Sequence, residues 1–320
     1  MRTARASTGR TSTARTDTIR TAPHRRSTSR TRSLLRALLA WLILGAGLGA
    51  AIGTATALHQ ALGLPRLAVV SIQAVLTSAL VVPAIVLLRR RSDRRSDRRS
   101  LMGLGLSRHA LRPLALGAAV GVASGLAVWL PAAVAGWIRV EAVDPLAFAG
   151  FLLLNGLVIT LYEALPEELA LRGSMWTDLR DGWGLVVATA ATTALFPLLV
   201  LVIGPVEWAV TTLVGGTAAA PSPIPSGSDP IAYVLQLVLF GLALVAARRL
   251  PVEGPLLVAI AFHATQLTVT RTLLGGMPWA PSGWTVEFVE PDAIALVLVH
   301  VVVAGAAFTG LRWSLQRWPQ

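Results

Sequence analysis

Apolar stretches of about 17 to 24 residues recur along most of the chain, with short polar or basic segments between them, and each is long enough to cross a hydrocarbon core. Inside lipid every backbone N–H and C=O needs an internal partner, so runs of this length predict helices. The spans fall at Ala37–Leu58, Leu67–Leu88, Ala115–Ile138, Ala147–Leu165, Trp183–Ile203, Ile231–Ala247, Pro255–Leu274 and Ala293–Leu311. The fold class this predicts is an all-α polytopic membrane helical bundle of about eight transmembrane helices.

Charge orients the spans. With the N-terminus inside, the inner loops hold Arg89–Arg99, Arg172 with Arg180, Arg248–Arg249, and Arg312 with Arg317. The outer side then holds Arg66, Arg139 and Arg271, and the longest outer loops, 204–230 and 275–292, hold no basic residue. One orientation, N-in and C-in, suits the whole chain by the positive-inside rule. A multi-pass protein of the cell membrane is expected.

Composition agrees: 54% of residues are hydrophobic and 14% charged, well below a soluble domain's usual charge. The net charge of +12 is concentrated in residues 1–36 and 89–100, leaving the remainder of the chain slightly acidic. Clustered arginine beside membrane spans suits anionic membrane lipid. No aromatic residues interleave the tail arginines, so the stacking platform of a nucleic-acid binder is missing and no nucleic-acid partner is expected. Cysteine is absent, which excludes disulfides, thiolate nucleophiles and Cys-ligated metals. Residues 1–33 are Arg, Ser and Thr with almost no apolar side chains, so they read as an unfolded cytoplasmic tail. Ser92–Arg95 repeats as Ser96–Arg99, a solvated loop, and Leu101–Leu114 suits the membrane interface before the third span.

Acidic residues in or beside a membrane are costly and mark candidate sites. The chain reads Tyr162-Glu163-Ala164-Leu165-Pro166-Glu167-Glu168-Leu169-Ala170-Leu171-Arg172-Gly173 at the expected inner end of the fourth span. On a helix Glu163 and Glu167 share a face, and Glu168 lies about 100° away, four residues before Arg172. That order favours an ion pair. Arg172 can therefore hold Glu168 and leave Glu167 free to face a cavity and take a proton from water. A solvated cluster at a helix end carries equal weight on these residues alone. His263 lies eight residues inside the seventh span, about 12 Å from its inner end. A histidine that deep faces the bundle interior, as a packing residue or as part of a site approached from the same side as the acidic motif.

Glu167-Glu168-x-x-x-Arg172-Gly173 resembles the first motif of the CAAX protease and bacteriocin-processing (CPBP) family of intramembrane proteases. Phe240 to Arg249, then Gly254-Pro255 and His263, is similar to that family's C-terminal portion. The resemblance covers about residues 150–270. It implies peptide hydrolysis in the membrane, on the C-terminal or transmembrane portions of membrane-associated peptides or proteins. It further implies Glu167 as the general base, Glu168 and Arg172 as fixing the helix end, and His263 as polarising the carbonyl or stabilising the oxyanion. Glutamate-activated water alone and a zinc-assisted site are both open; His and carboxylate ligands would suit Zn²⁺ if three converged. On this reading the chain divides into the tail 1–33, an N-terminal helical part 34–138 with the basic loop 89–100, and a protease-like core with C-terminal helices, 139–320.

Two positions depart from the family pattern. Val200 stands four residues after Phe196, where the second motif has histidine, and Leu267 stands four after His263, where the third has asparagine, with Gln266 beside it. His300 in the eighth span reads as a lone buried histidine or a compensating ligand, and Glu163 as a spare carboxylate. His59 falls at the outer face, and His24 and His109 in cytoplasmic segments. Three functions follow: an intramembrane protease, weakened or not; a catalytically inactive relative that binds or regulates a membrane partner; and a small transporter, against which stands the lack of an internal repeat.

Overall fold

The computed structural model describes residues 30–92, 104, 110–224 and 229–317. The tail before Arg30, the tandem repeat beyond Ser92, and residues 101–109 apart from Leu104 lie outside the described residues, and with them His24 and His109. The helices are α1 Arg30–Leu62, α2 Arg66–Ser92, α3 Leu111–Val134, α4 Pro145–Trp183, α5 Leu185–Leu195, α6 Val200–Leu213, α7 Pro230–Arg248, α8 Pro255–Leu273 and α9 Leu296–Arg317. Among the described residues four short strands, β1 Ile138–Val143, β2 Gly276–Met277, β3 Ala280–Pro281 and β4 Trp284–Phe288, form two antiparallel pairs, β1 with β4 and β2 with β3. Among the described residues seven helices are long and apolar enough to cross a membrane, and α5 with α6 makes an eighth if the bent pair is one span. The all-α polytopic bundle expected from the hydrophobic pattern is present.

Several helix starts follow a simple local grammar. Asp144-Pro145 and Asp229-Pro230 open α4 and α7: Asp144 accepts from the Leu146 and Ala147 N–H groups and Asp229 from that of Ala232, and each proline occupies a position whose N–H has no helical partner. Gly184, at φ 88°, ends α4 and starts α5 in one residue. Such a φ is open to glycine without a Cβ clash.

Two expectations are corrected. The fourth span does not end near Leu165; it continues to Trp183, so the acidic motif lies midway along a 39-residue run. The fifth does not end at Ile203 either. Pro197 cannot donate an N–H, so the helix breaks into a 3₁₀ turn at Pro197–Leu199, bends by 48°, and runs on to Leu213 through residues expected to be loop. The bend frees the Leu195 carbonyl that the Leu199 N–H would take in a continuous helix; Trp41 Nε1 donates to it instead, at 2.8 Å.

Helix α8 is the most enclosed element, packed against α3, α4 and α7, while α1 packs on α6 and α2. Glycines make the closest approaches possible. A methyl at Gly117 of α3 would overlap the Val258 carbonyl oxygen of α8, and one at Gly49 or Gly53 of α1 would meet α6 carbonyls at 2.5 or 2.7 Å. In lipid, where apolar surface gains little by leaving its solvent, such backbone proximity is a main source of helix association. The outward faces carry exposed Leu130, Val134, Leu153, Val186 and Ile231, a surface suited to hydrocarbon.

The bundle has two distinct ends. At one, Arg36 and Arg89 meet Asp178, and Trp183 Nε1 donates to the Arg30 carbonyl. At the other, Gln60 bonds the backbone of Thr217 and Arg139 pairs with Glu287 across the β1–β4 ladder. Of the basic residues expected on one side, Arg89 reaches Asp178, and Arg180 and Arg248 lie over the Trp176 ring. Arg172, expected among the loop cations, is instead fully buried in the core.

Candidate active site

Helix α4 changes its hydrogen-bond register on either side of the acidic motif. Thr160–Ala164 and Glu168–Met175 are π-helical, flanking the short α-turn Leu165–Glu167. Proline explains the first of these. Leu165 N–H bonds the Thr160 carbonyl, so the Leu161 carbonyl would next take the N–H of residue 166, which is proline and has none. Ser78 Oγ from α2 donates to that carbonyl at 2.5 Å. Local π segments of this kind recur at functional sites, because they re-aim side chains that a regular helix would space evenly.

The pairing expected from the i,i+4 spacing is present: Arg172 Nη1 donates to Glu168 Oε1 at 3.1 Å, and both side chains have no solvent exposure. His263 on α8 brings Nδ1 to the same oxygen, also at 3.1 Å. A carboxylate can only accept, so the proton of that bond sits on Nδ1 and Nε2 is left for another partner. The imidazole is braced edge-on against Phe240, 4.8 Å between centroids, and the Arg172 guanidinium lies over the Phe196 ring at 4.6 Å. Phe196 and Phe240 thus brace the two partners of Glu168, the first through a cation–π contact with Arg172.

Glu167 is arranged differently. It has no hydrogen bond or ion pair among the described residues, and it lines a cavity of about 200 Å³ together with Glu163, Gln236, His263 and Gln266. The rest of the wall is largely aromatic and apolar: Phe196, Leu199, Ile203, Tyr233, Leu237, Phe240, Leu267 and Val301. Glu167 and His263 therefore face one cavity, the juxtaposition a water-activating pair needs.

The remaining candidates are sorted by the same geometry. Val200 does not line the cavity; Phe196, Leu199 and Ile203 do, because the turn at Pro197 rotates the following residues. Gln266 and Leu267 both reach it, so the rotation of one residue along α8 does not remove the Gln266 amide, although its Nε2 is donated to Thr270 Oγ1 at 3.1 Å. Glu163 is not a spare carboxylate, since Arg271 Nη2 donates to it at 2.7 Å. His300 points to α3, with Nε2 3.1 Å from the Gly121 carbonyl oxygen, and is not a substitute ligand in this cavity. Among the described residues no three His, Asp or Glu side chains converge as a zinc site requires. The carboxylate nearest His263 is already engaged by a guanidinium, so the donor set does not fit zinc.

Arg271, which holds Glu163, and Asn155, which accepts from Arg271, are supporting residues that reading the sequence missed. Arginine and asparagine are expensive within an apolar span, and that cost was the available signal. It was masked because Arg271 counts equally well as a loop charge.

Fold and cavity together define a membrane-embedded helical bundle with a carboxylate–imidazole site in its interior. Residues 149–269 match the Rce1-like family, described as type II CAAX prenyl endopeptidase Rce1-like, and the resemblance read over residues 150–270 stands. The similarity to that family covers less than half of the chain. Among curated proteins and solved structures no match to the chain is found.

Proposed function

We propose that this protein hydrolyses peptide bonds of membrane-associated peptides, with Glu167 as the general base. The observation that carries the reading is the contrast between adjacent carboxylates. Glu168 is committed to Arg172 and His263, whereas Glu167 lines a cavity with no protein partner among the described residues. A water bound between Glu167 and the scissile carbonyl would lose a proton to Glu167 as its oxygen attacks. His263, held through Nδ1, would turn its Nε2 edge toward the carbonyl oxygen as charge develops there, on a ring fixed before the reaction begins. Glu167 would then return the proton to the leaving amine. Gln266 adds an amide to the same wall. In the orientation that positive-inside charge favours, both termini are cytoplasmic and the membrane is the cell membrane.

The test is cleavage of fluorogenic apolar peptides by the purified chain and by Glu167→Gln. Loss of a positioned general base costs about 10²- to 10⁴-fold; equal turnover by both proteins would sink the catalytic assignment. A second reading, a relative that binds membrane peptides without cutting them, is favoured by the apolar Leu199 and Leu267 in the wall where the family has polar groups nearby. It predicts peptide binding in the same cavity with no turnover by either protein.

A further inference from the structure

Arg248 ends α7 and Arg249 caps it, and the two neighbours serve different ends. Arg248 is buried: its Nε donates to the Arg172 carbonyl, and its guanidinium lies over the Trp176 ring. Arg249 is half-buried, and the charge that acts on it is a second guanidinium, Arg312 of α9. Burial and that charge both hold Arg249 below its ordinary pKa. We propose that Arg249 and Arg312 form a clamp for the phosphate of one anionic membrane lipid, at the basic end of the bundle and apart from the Glu167 cavity.

Helix packing sets the two arginines at one level. α7 and α9 meet where a Cβ on Gly305 would lie 3.6 Å from that of Ala243, and both helices run on from this point to the basic end. Arg249 is six residues beyond Ala243 and Arg312 seven beyond Gly305, about 9 and 10 Å of helical rise. Two like charges so placed repel, and arginine does not relieve the repulsion by losing its proton. Among the described residues neither pairs with a carboxylate, and Arg312 Nε is buried with no hydrogen-bond partner. An anion between the two supplies what the protein does not.

The chemistry of the pair and its surroundings name that anion. Phosphate oxygens accept several guanidinium N–H bonds at once, which suits two planar forks better than a single point charge would. Trp313, next to Arg312, is exposed with Arg317 3.4 Å over its ring, and an exposed tryptophan beside arginines marks the level of lipid headgroups. Two turns deeper, Leu242 shares the face of α7 that carries Arg249 and is itself exposed, a surface for an acyl chain. The phosphate is therefore that of a lipid rather than a free ion. Two positive charges also select a net-anionic headgroup over a zwitterionic one, whose ammonium they repel.

The experiment is native mass spectrometry of the full-length chain in neutral detergent, titrated with phosphatidylglycerol or with phosphatidylcholine of the same acyl chains. The first phosphatidylglycerol binds about tenfold more tightly than phosphatidylcholine, as two arginines at a membrane surface provide. Arg249→Gln and Arg312→Gln each reduce that preference, and the double variant abolishes it. Arg90→Gln, which removes the same charge from an exposed arginine at the same end, leaves it unchanged. Should the double variant fail to fold, the two single variants set against Arg90→Gln carry the comparison. Equal affinity of the wild-type chain for the two lipids overturns the proposal. So does an equal loss in all three single variants, which would mean diffuse surface charge. Phosphatidylglycerol that stays bound in excess inorganic phosphate supports the lipid assignment, and its displacement overturns it.

Discussion

Ten residues apart on α4, two buried carboxylates are held by similar partners and lead to different outcomes. Asp178 meets Arg89 at 2.9 Å and Arg36 at 3.3 Å, tying the ends of α1, α2 and α4 together at the basic end of the bundle. Glu168 meets Arg172 and His263, each at 3.1 Å, in the centre. Burial and ion pairing are common to both, so neither property marks a site. What distinguishes the central cluster is its neighbour: Glu167, one residue before the paired carboxylate, lines a cavity and has no protein partner among the described residues. The Asp178 cluster does not border that cavity. A carboxylate engaged by two basic side chains holds helices together; chemistry needs one beside it that no protein group engages.

The comparison can be broken at either cluster. The largest effect on stability is expected from Arg172→Met, which leaves Glu168 without its guanidinium at zero exposure. Breaking a buried pair from one side costs about 3–5 kcal/mol, read as a lowered thermal unfolding midpoint in detergent. An unchanged midpoint would mean that Glu168 is held by His263 alone. Asp178→Asn should cost less, about 1–3 kcal/mol, since Arg36 is partly exposed and can turn to water. It should leave turnover per folded molecule unchanged, and a loss of activity without a loss of stability would join the two clusters functionally. The smallest effect sharpens the cavity itself. Leu199→His adds an imidazole to the wall, whereas Val200→His, at the position the family motif indicates, adds one outside it. If the wall needs a second polar donor, Leu199→His raises peptide turnover several-fold and Val200→His does not; the opposite order would mean that the turn at Pro197 rearranges when peptide binds.

Much of this was legible in the sequence because it depends on short-range rules. Length and apolarity marked the spans, Asp-Pro marks two helix starts, and the four-residue spacing of Glu168 and Arg172 anticipated their ion pair. Periodicity also put Glu163 and Glu167 on a common face, although the helix between them is partly π. The errors have equally specific causes. The fourth span was cut at Leu165 because acidic residues were taken as the end of a membrane helix. In the fold their charge is offset by Arg172 and Arg271, and a helix can continue through them. Glu163 looked spare because its partner lies 108 residues away, and no local rule joins Glu163 to Arg271.

The sequence by itself determined that this chain is a multi-span helical membrane protein carrying a motif shared with the Rce1-like family, because hydrophobic length and motif spacing are properties of contiguous residues. Tertiary structure decided which carboxylate is held and which is left to line the cavity. It turned Leu199 rather than Val200 toward the cavity, and it tied Glu163 to Arg271. Those outcomes depend on α4, α7 and α8 meeting at one place and on two prolines, Pro166 and Pro197, whose missing N–H groups shift the helical register. A side chain's neighbours across a bundle are set by that register and by how closely glycine lets the helices approach, and neither is written in the spacing of one segment.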